Sequence, residues 1–443
     1  MATQRIVQGW RAFSATEEGT IGTPESISAT IGRLNFEGEP TEDKPRDQFD
    51  NADEITGSNE MTSHHVLTRT VELTHTQRAL PHSCSLFFAM CMGKVTTDQA
   101  TNGAAAGMYR HYIERDLTTI VLQPVTMWEF DGLQQSVFHA VACRSVMITG
   151  ERSGFCKIDA ELIGRGSRAT TSETKPAQVA DENYLRYGDC TIYRGGGFTG
   201  TVACGTLAYA STSIGADTFL GSGLNDITVG GTNTGEESTT YRFEITATGT
   251  PDTFQWRSSD NGAWTTGVSV DSSAIALQDG ITVLWAATTG HTLGDAWTAV
   301  IVGVKTDMSA KVIGFDYKID NGMEPVYELG NQTFFATRFE RAGRFEHTLN
   351  VKFELENQEH HDKLLTNSGE PEPMTMSIPI VGDAISTLNY QCILWFPRVR
   401  YVSATKTRDG DKLIVDATFQ VEEDATYGSL IVETANKVSA YLT

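Results

Sequence analysis

Along much of the chain apolar and polar residues alternate one for one, the period that places successive side chains on opposite faces of a β-strand. In residues 346–356, Leu349, Val351, Phe353 and Leu355 alternate with Asn350, Lys352, Glu354 and Glu356. Residues 412–422 repeat the pattern, with Leu413, Val415, Ala417, Phe419 and Val421 on one side and Asp416, Thr418, Gln420 and Glu422 on the other. In residues 155–163 the apolar phase is Cys156, Ile158, Ala160 and Leu162, set against Lys157, Asp159 and Glu161. Parallel strands covered on both faces would read as unbroken apolar runs, so these are expected to be antiparallel, with one face in a core and the other wet. Turns are expected at Asp260-Asn261-Gly262, Asp320-Asn321-Gly322 and Arg408-Asp409-Gly410-Asp411. Two helices are expected, over 81–92 and 357–367, the second stopped by Ser368 and Gly369.

Each expected helix follows an alternating strand, and laying the chain on itself shows a repeat. SATIGRLNF (28–36), with Glu39-Pro40 close behind, resembles SAKVIGFDY (309–317), with Glu324-Pro325 close behind. A strand-then-helix segment follows in each half, and each half closes with a long strand, a turn and a final strand, over 137–164 and 388–421. Between the halves, residues 196–303 are rich in Thr, Gly and Ser and carry Trp256, Trp264, Trp285 and Trp297 in short strands, the pattern of a β-sandwich. Residues 189–194 and 311–318 are expected to be the two arms of a hairpin whose tip has grown into this insertion, which costs little closure entropy. The domains expected are therefore 1–175, then 184–195 joined with 304–443, with 196–303 inserted.

Charge and motifs narrow the function. With 34 basic and 56 acidic residues the formal charge is −22, which argues against a general nucleic-acid binder. The longest apolar run, around residues 86–90, is far short of the roughly 18 residues of a membrane helix. The first thirty residues lack the pattern of a secretory signal, so cytoplasmic synthesis is expected, and the sequon at Asn331 carries no weight. Seven cysteines, at 84, 91, 143, 156, 190, 204 and 392, follow no fixed spacing and are expected as reduced, mostly buried thiols. Cys84 and Cys91 match no zinc pattern, and no cofactor or metal is expected.

The neighbouring pairs His64-His65 and His360-His361 lack the i, i+4 spacing of a zinc helix and are expected at the surface or at subunit contacts. There is no G-x-S-x-G, no phosphate-binding G-x-x-x-x-G-K-[ST] and no H-E-x-x-H, so catalytic residues are not expected. Asp159 with Glu161, and Glu354 with Glu356, lie on the polar faces of regular strands and read as solvated faces, not as a glycosidase pair. The acidic stretch 37–60, with two prolines and few large apolar residues, is expected to be a loop, either mobile or ordered against a neighbouring subunit.

GDCTIYRGGG (188–197), then SAKVIGFDYKIDNGMEP (309–325) and TRFERAGRFEHTLNVKFELENQEHHDKLL (337–365), resemble the major tail tube proteins of long, non-contractile tailed bacteriophages. The insertion is similar to immunoglobulin-like modules of phage structural proteins, through residues 248–270 and 279–298. The resemblance implies a mainly β fold: two tandem tail-tube barrel or sandwich domains, each with one short helix, plus an inserted immunoglobulin-like sandwich. It implies strands that pair with neighbouring subunits to close a channel, trimeric rings with pseudo-six-fold symmetry, and stacking of the rings into a tube. The partners implied are further copies of the chain, a tape measure protein, tail terminator or tip proteins, and double-stranded DNA that passes without specific binding. The location implied is the virion tail, after assembly in the host cytoplasm.

A channel for DNA should hold phosphates weakly, so polar strand residues are the candidates to line it: Lys157, Asp159, Glu161, Lys352, Glu354, Glu356, Asp416, Gln420 and Glu422. Ring stacking is expected from the acidic loop, through Glu42, Asp43, Arg46, Phe49, Asp53 and Ile55, and from the termini. The rival expectation is a cell-surface or carbohydrate-binding sandwich adhesin that uses the four tryptophans.

Overall fold

The computed structural model describes residues 9–37, 47–50, 64–98, 107–118, 122, 124–166, 168–178, 183–201, 207–210, 214–236, 238–259, 262–328, 334–355, 373–385, 388–410 and 412–442. The first half contributes β1 (Trp10–Ser14), β2 (Thr30–Leu34), β3 (Asp47–Asp50), β4 (His64–Thr68), β5 (Val71–Arg78) and α1 (Pro81–Met92). It continues with β6 (Gly93–Asp98), β7 (Tyr109–Arg115), β8 (Val125–Phe130), β9 (Gln135–Glu151), β10 (Lys157–Gly164) and β11 (Arg168–Thr171). The middle holds β12 (Tyr193–Arg194), β13 (Phe198–Thr199), β14 (Ala208–Tyr209), β15 (Thr218–Leu220), β16 (Ile227–Gly231), β17 (Thr239–Ala247) and β18 (Thr253–Ser258). It ends with β19 (Thr265–Ser269), β20 (Ile275–Ala276), β21 (Ile281–Trp285), β22 (Ala296–Ile301) and β23 (Thr306–Asp307). The second half supplies β24 (Val312–Asp320), β25 (Met323–Val326), β26 (Arg338–Arg341), β27 (Glu346–Glu354), β28 (Met374–Ile385), β29 (Leu388–Asp409), β30 (Lys412–Val421) and β31 (Ile431–Asn436). The chain is mainly β, and α1 is the one α-helix among the described residues.

The expected helix over 81–92 is α1. Pro81 opens it with a preset φ, and the Ser83 hydroxyl accepts from the Leu80 N–H at 3.1 Å and donates to the Leu80 carbonyl at 2.9 Å. It stops at Gly93, whose φ of +93° is left-handed and whose missing Cβ leaves room for Leu122. All twelve residues are buried. Helix α1 packs on β9, β7 and β31, and each phenylalanine it buries there stabilises by roughly 2–3 kcal/mol. The expected helix over 357–367 lies outside the described residues.

Seven strands lie side by side, all antiparallel, in the order β5–β10–β9–β24–β27–β30–β29. The same order of pairing recurs in both halves. The β9–β10 hairpin is matched by β29–β30; β10 lies on β5 as β30 lies on β27; and the first part of β9 takes β8 and β11 as the first part of β29 takes β28 and β31. A 3₁₀ turn precedes β2 (Ile27–Ala29) and another precedes β24 (Ser309–Lys311). An antiparallel strand pair, β3 with β4 or β25 with β26, then precedes β5 or β27.

Among the described residues two strand pairings, β24 with β9 and β31 with β7, and an isolated bridge between Arg69 and Phe335 join the halves, and a hydrophobic core runs through both, from Phe13, Phe87 and Ile148 to Tyr317, Phe353 and Phe396. The turn expected at Asp320-Asn321-Gly322 is present, with Gly322 at a φ of +62°. Its fully buried Asn321 also donates from Nδ2 to the carbonyls of Cys91 (3.0 Å) and Cys143 (2.8 Å), and accepts from the Met323 N–H (3.0 Å). Arg341 donates to the Met92 carbonyl at 2.8 Å, so two residues of the second half satisfy the free end of the first half's helix.

Three expectations change. The hairpin arms that bracket the insertion are Tyr193–Arg194 and Thr306–Asp307, while 312–320 is a central strand between β27 and β9. The acidic stretch 37–60 is not loop throughout, because Asp47–Asp50 pairs with His64–Thr68. The sandwich begins later than residue 196, because Phe198–Thr199 pairs with Ala208–Tyr209 and the rings of Phe198 and Tyr209 pack on Trp395 of β29. The sandwich itself has a five-stranded sheet, β15–β22–β17–β18–β19, and a three-stranded one, β16–β21–β20, around its own core of Tyr241, Phe243, Phe254, Trp285 and Trp297. The six described cysteines are free, and Cys84, Cys91, Cys143, Cys156 and Cys392 are buried.

Candidate functional site: a polar sheet face and an open edge

Strand register puts Lys157, Asp159 and Glu161 on one face of the seven-strand run, because each stands opposite a residue of the neighbouring strand that shares its orientation. Asp159 faces Thr76 on β5 and Met147 on β9; Met147 faces Lys318 on β24; Lys318 faces Thr348 on β27. On the same face Lys352 faces Asp416, Asp416 faces Thr405, and Gln420 faces Arg400. Glu354 follows in phase, and Glu422 continues the row past the end of β30, where Arg398 (2.6 Å) and Arg400 (2.7 Å) hold its carboxylate. Eight of the nine residues expected on a channel wall thus share one face, and Glu356 lies outside the described residues. The opposite face is the core beneath α1, so the two faces of this sheet differ sharply in polarity.

The face is solvated and mixed in charge. Lys157 and Glu161 are each about half exposed, at 52% and 51%. Glu72, Asp316 and Asp320 add carboxylates; Arg78, Lys318 and Lys412 add cations. Lys318 Nζ donates to Glu161 at 3.0 Å across β9, and Arg152 (2.7 Å) and Lys412 (2.9 Å) both donate to Glu354. Hydrogen bonds from Lys412 and Arg152 lower the Glu354 pKa. At Glu161 burial acts to raise the pKa, yet Lys318, Ser145 and Arg144 leave it lowered. No group of three or more His, Cys, Asp or Glu among the described residues is placed to hold a metal ion.

Among the described residues the run is open at one end. On β9, β10 takes one side from Lys157↔Thr149 onward and β24 takes the other, from Gly314↔Glu151 to Asp320↔Ser145. On β29, β30 takes the side that corresponds to β10, and β28 ends opposite Val399. Among the described residues no strand lies on the remaining side of 401–409, the place that β24 fills on β9. Val402, at the register shift where this open side starts, is 55% exposed. At the other end of the run, Glu37 pairs with Thr76 on the outer side of β5. Of the residues expected in ring stacking, Phe49 lies on β3 opposite His65; Glu42, Asp43, Arg46, Asp53 and Ile55 lie outside the described residues.

Local pattern gave no sign of the joint between the insertion and this edge. Arg194, fully buried at the end of β12, donates from Nε and Nη2 to the two carboxylate oxygens of Glu236, at 3.0 and 2.9 Å. Its Nη1 donates to the Tyr401 hydroxyl at 3.1 Å. Gly195, at a φ of +75°, lets the backbone of Glu236 approach to where a Cβ would collide with it. Within the sandwich His291 bridges Asp252 (Nδ1, 2.9 Å) and Asp226 (Nε2, 3.0 Å), its ring edge-on to Trp285. Burial disfavours the imidazolium, but the two carboxylates outweigh it and raise the His291 pKa. Trp285 and Trp297 are core residues, while Trp256 and Trp264 are half-buried, the latter under Arg257.

No helix among the described residues is long and apolar enough to cross a membrane. Compared with known proteins, the chain matches no family model and no curated sequence.

Proposed function

We propose that the chain is a structural subunit that polymerises into the tail tube of a phage, the channel through which the genome leaves the virion. One observation carries this reading: the side of β29 at 401–409 matches the side of β9 that β24 fills inside the chain. A sheet edge that no described strand covers, and whose counterpart in the other half is taken by β24, is suited to continue into a second copy. Three chains, each with two copies of the pairing scheme, would close a pseudo-six-fold ring. The polar face would then line the lumen, its cations met by carboxylates, as Lys318 is by Glu161 and Arg398 by Glu422, so that phosphates are not retained. The sandwich would stand outside as decoration. Stacked rings would assemble around a tape measure protein and end at terminator or tip proteins, in the host cytoplasm, with no bond chemistry in the process.

Negative-stain microscopy of the purified chain over a range of concentrations tests the reading. Rings or tubes with a central channel are expected. Persistent single particles at every concentration would overturn it.

A further inference from the structure

The open edge begins at Tyr401, and the residue that fixes Tyr401 is itself fixed by the insertion. Arg194 is buried, its charge is met by both oxygens of Glu236, and its remaining amino group reaches the Tyr401 hydroxyl. A buried guanidinium with its carboxylate removed would have to rearrange or draw water, because an uncompensated buried charge is strongly unfavourable. Tyr401 would then lose a partner of fixed position at the register shift Tyr401/Ser403, where β29 leaves β28 and its outer side comes free.

We infer that Glu236 and Arg194 are positioning residues for self-assembly: the inserted sandwich is a strut that sets the start of the pairing edge, as well as an outward decoration. The chain of contact is short and specific. Gly195 N–H donates to the Thr375 carbonyl at 2.9 Å and Gly196 N–H to the Glu236 carbonyl at 2.5 Å, while the Thr375 hydroxyl donates to the carbonyls of Gly195 (2.7 Å) and Gly196 (2.8 Å). The root of the insertion is therefore tied to β28 by backbone as well as by charge. Phe198 and Tyr209 add an aromatic contact to Trp395 on β29.

This inference rests on the assembly reading, and one experiment separates their failures. Full-length wild type, Glu236→Gln, Tyr401→Phe and the double variant are compared for the concentration at which rings or tubes appear, with thermal melts to establish that each is folded. Tyr401→Phe removes one hydroxyl and keeps the ring, so it reports even if Glu236→Gln misfolds. Each single variant should raise that concentration about tenfold to a hundredfold, the loss expected for one hydrogen bond to a charged group. The double variant should be no worse than the singles, because the residues act through one contact chain, and Glu236→Asp should restore part of the loss. Wild-type assembly with Glu236→Gln or Tyr401→Phe assembling equally well, or losses that simply multiply, overturns the strut and leaves the tube reading standing. A wild type that never assembles overturns the tube reading and the strut with it.

Discussion

The side-chain amide of Asn321 donates to the carbonyl of Cys91 at 3.0 Å, linking a turn in the second half of the chain to the last turn of a helix in the first. A second bond to the Cys143 carbonyl at 2.8 Å ties the same amide into β9. Asn321→Ala leaves both buried acceptors without that donor, and the expected cost is about 2–4 kcal/mol. Urea denaturation should show one lowered midpoint for the whole body, since the halves share a core. A loss below about 1 kcal/mol, or a transition split between the halves, would contradict this account.

Val402 stands exposed where β29 loses β28. Val402→Lys should leave the melting temperature of the single chain within a few degrees, because the side chain already faces water. The same change should abolish ring or tube formation by placing a charge on the pairing edge. Sedimentation velocity separates the two effects, and unaltered assembly would count against 401–409 as the edge in use.

The sandwich carries its own pH dependence. The His291 pKa is raised above its ordinary 6.5, so the stabilisation from its charged bridge is complete below pH 6.5 and is lost as pH rises through the raised value. Asp252 behaves oppositely. Burial acts to raise its pKa, but bonds from Gly249 and His291 leave it below 3.8, so its contribution holds above that pH and fades as pH falls through the lowered value. Melts followed by near-ultraviolet circular dichroism should therefore show the sandwich most stable between roughly pH 4 and 6.5. His291→Gln should flatten the alkaline decline, and an unchanged decline in that variant would refute the assignment.

Asp159 and Asp416 hold the same place in the two halves, on the solvated face of the sheet. Replacing both by Lys should leave the fold intact and convert assembled particles into weak, salt-sensitive DNA binders, because affinity for a duplex grows with the phosphates neutralised. Fluorescence anisotropy with a labelled duplex across a salt series reads this directly. Binding by the wild type equal to that of the variant would argue against this face as a passage for DNA.

Much of this architecture is written in local pattern. Helix α1 begins and ends where Pro81 and Gly93 place it, and the alternation in β10, β27 and β30 separates core from wet face residue by residue. Alternation says nothing, however, about which strands become neighbours. The segment 312–320 reads equally well as a hairpin arm or a central strand; only its pairing with β9, some 170 residues away, decides. Long-range polar contacts are silent for the same reason. Asn321 satisfies a turn signature whether or not its amide reaches a helix end, and nothing near Arg194 or Glu236 in sequence announces that they meet. The docked pair β13–β14 is hidden by Thr- and Gly-rich neighbours whose composition matches that of the sandwich.

Gly195 and its close approach to Glu236 limit how this chain can be re-engineered. A foreign module grafted at this point, or none at all, would inherit a buried guanidinium. Any viable replacement must arrive with its own acid at that spot, or be accompanied by an uncharged residue at position 194, so cargo fused there is held to an electrostatic specification as well as a steric one.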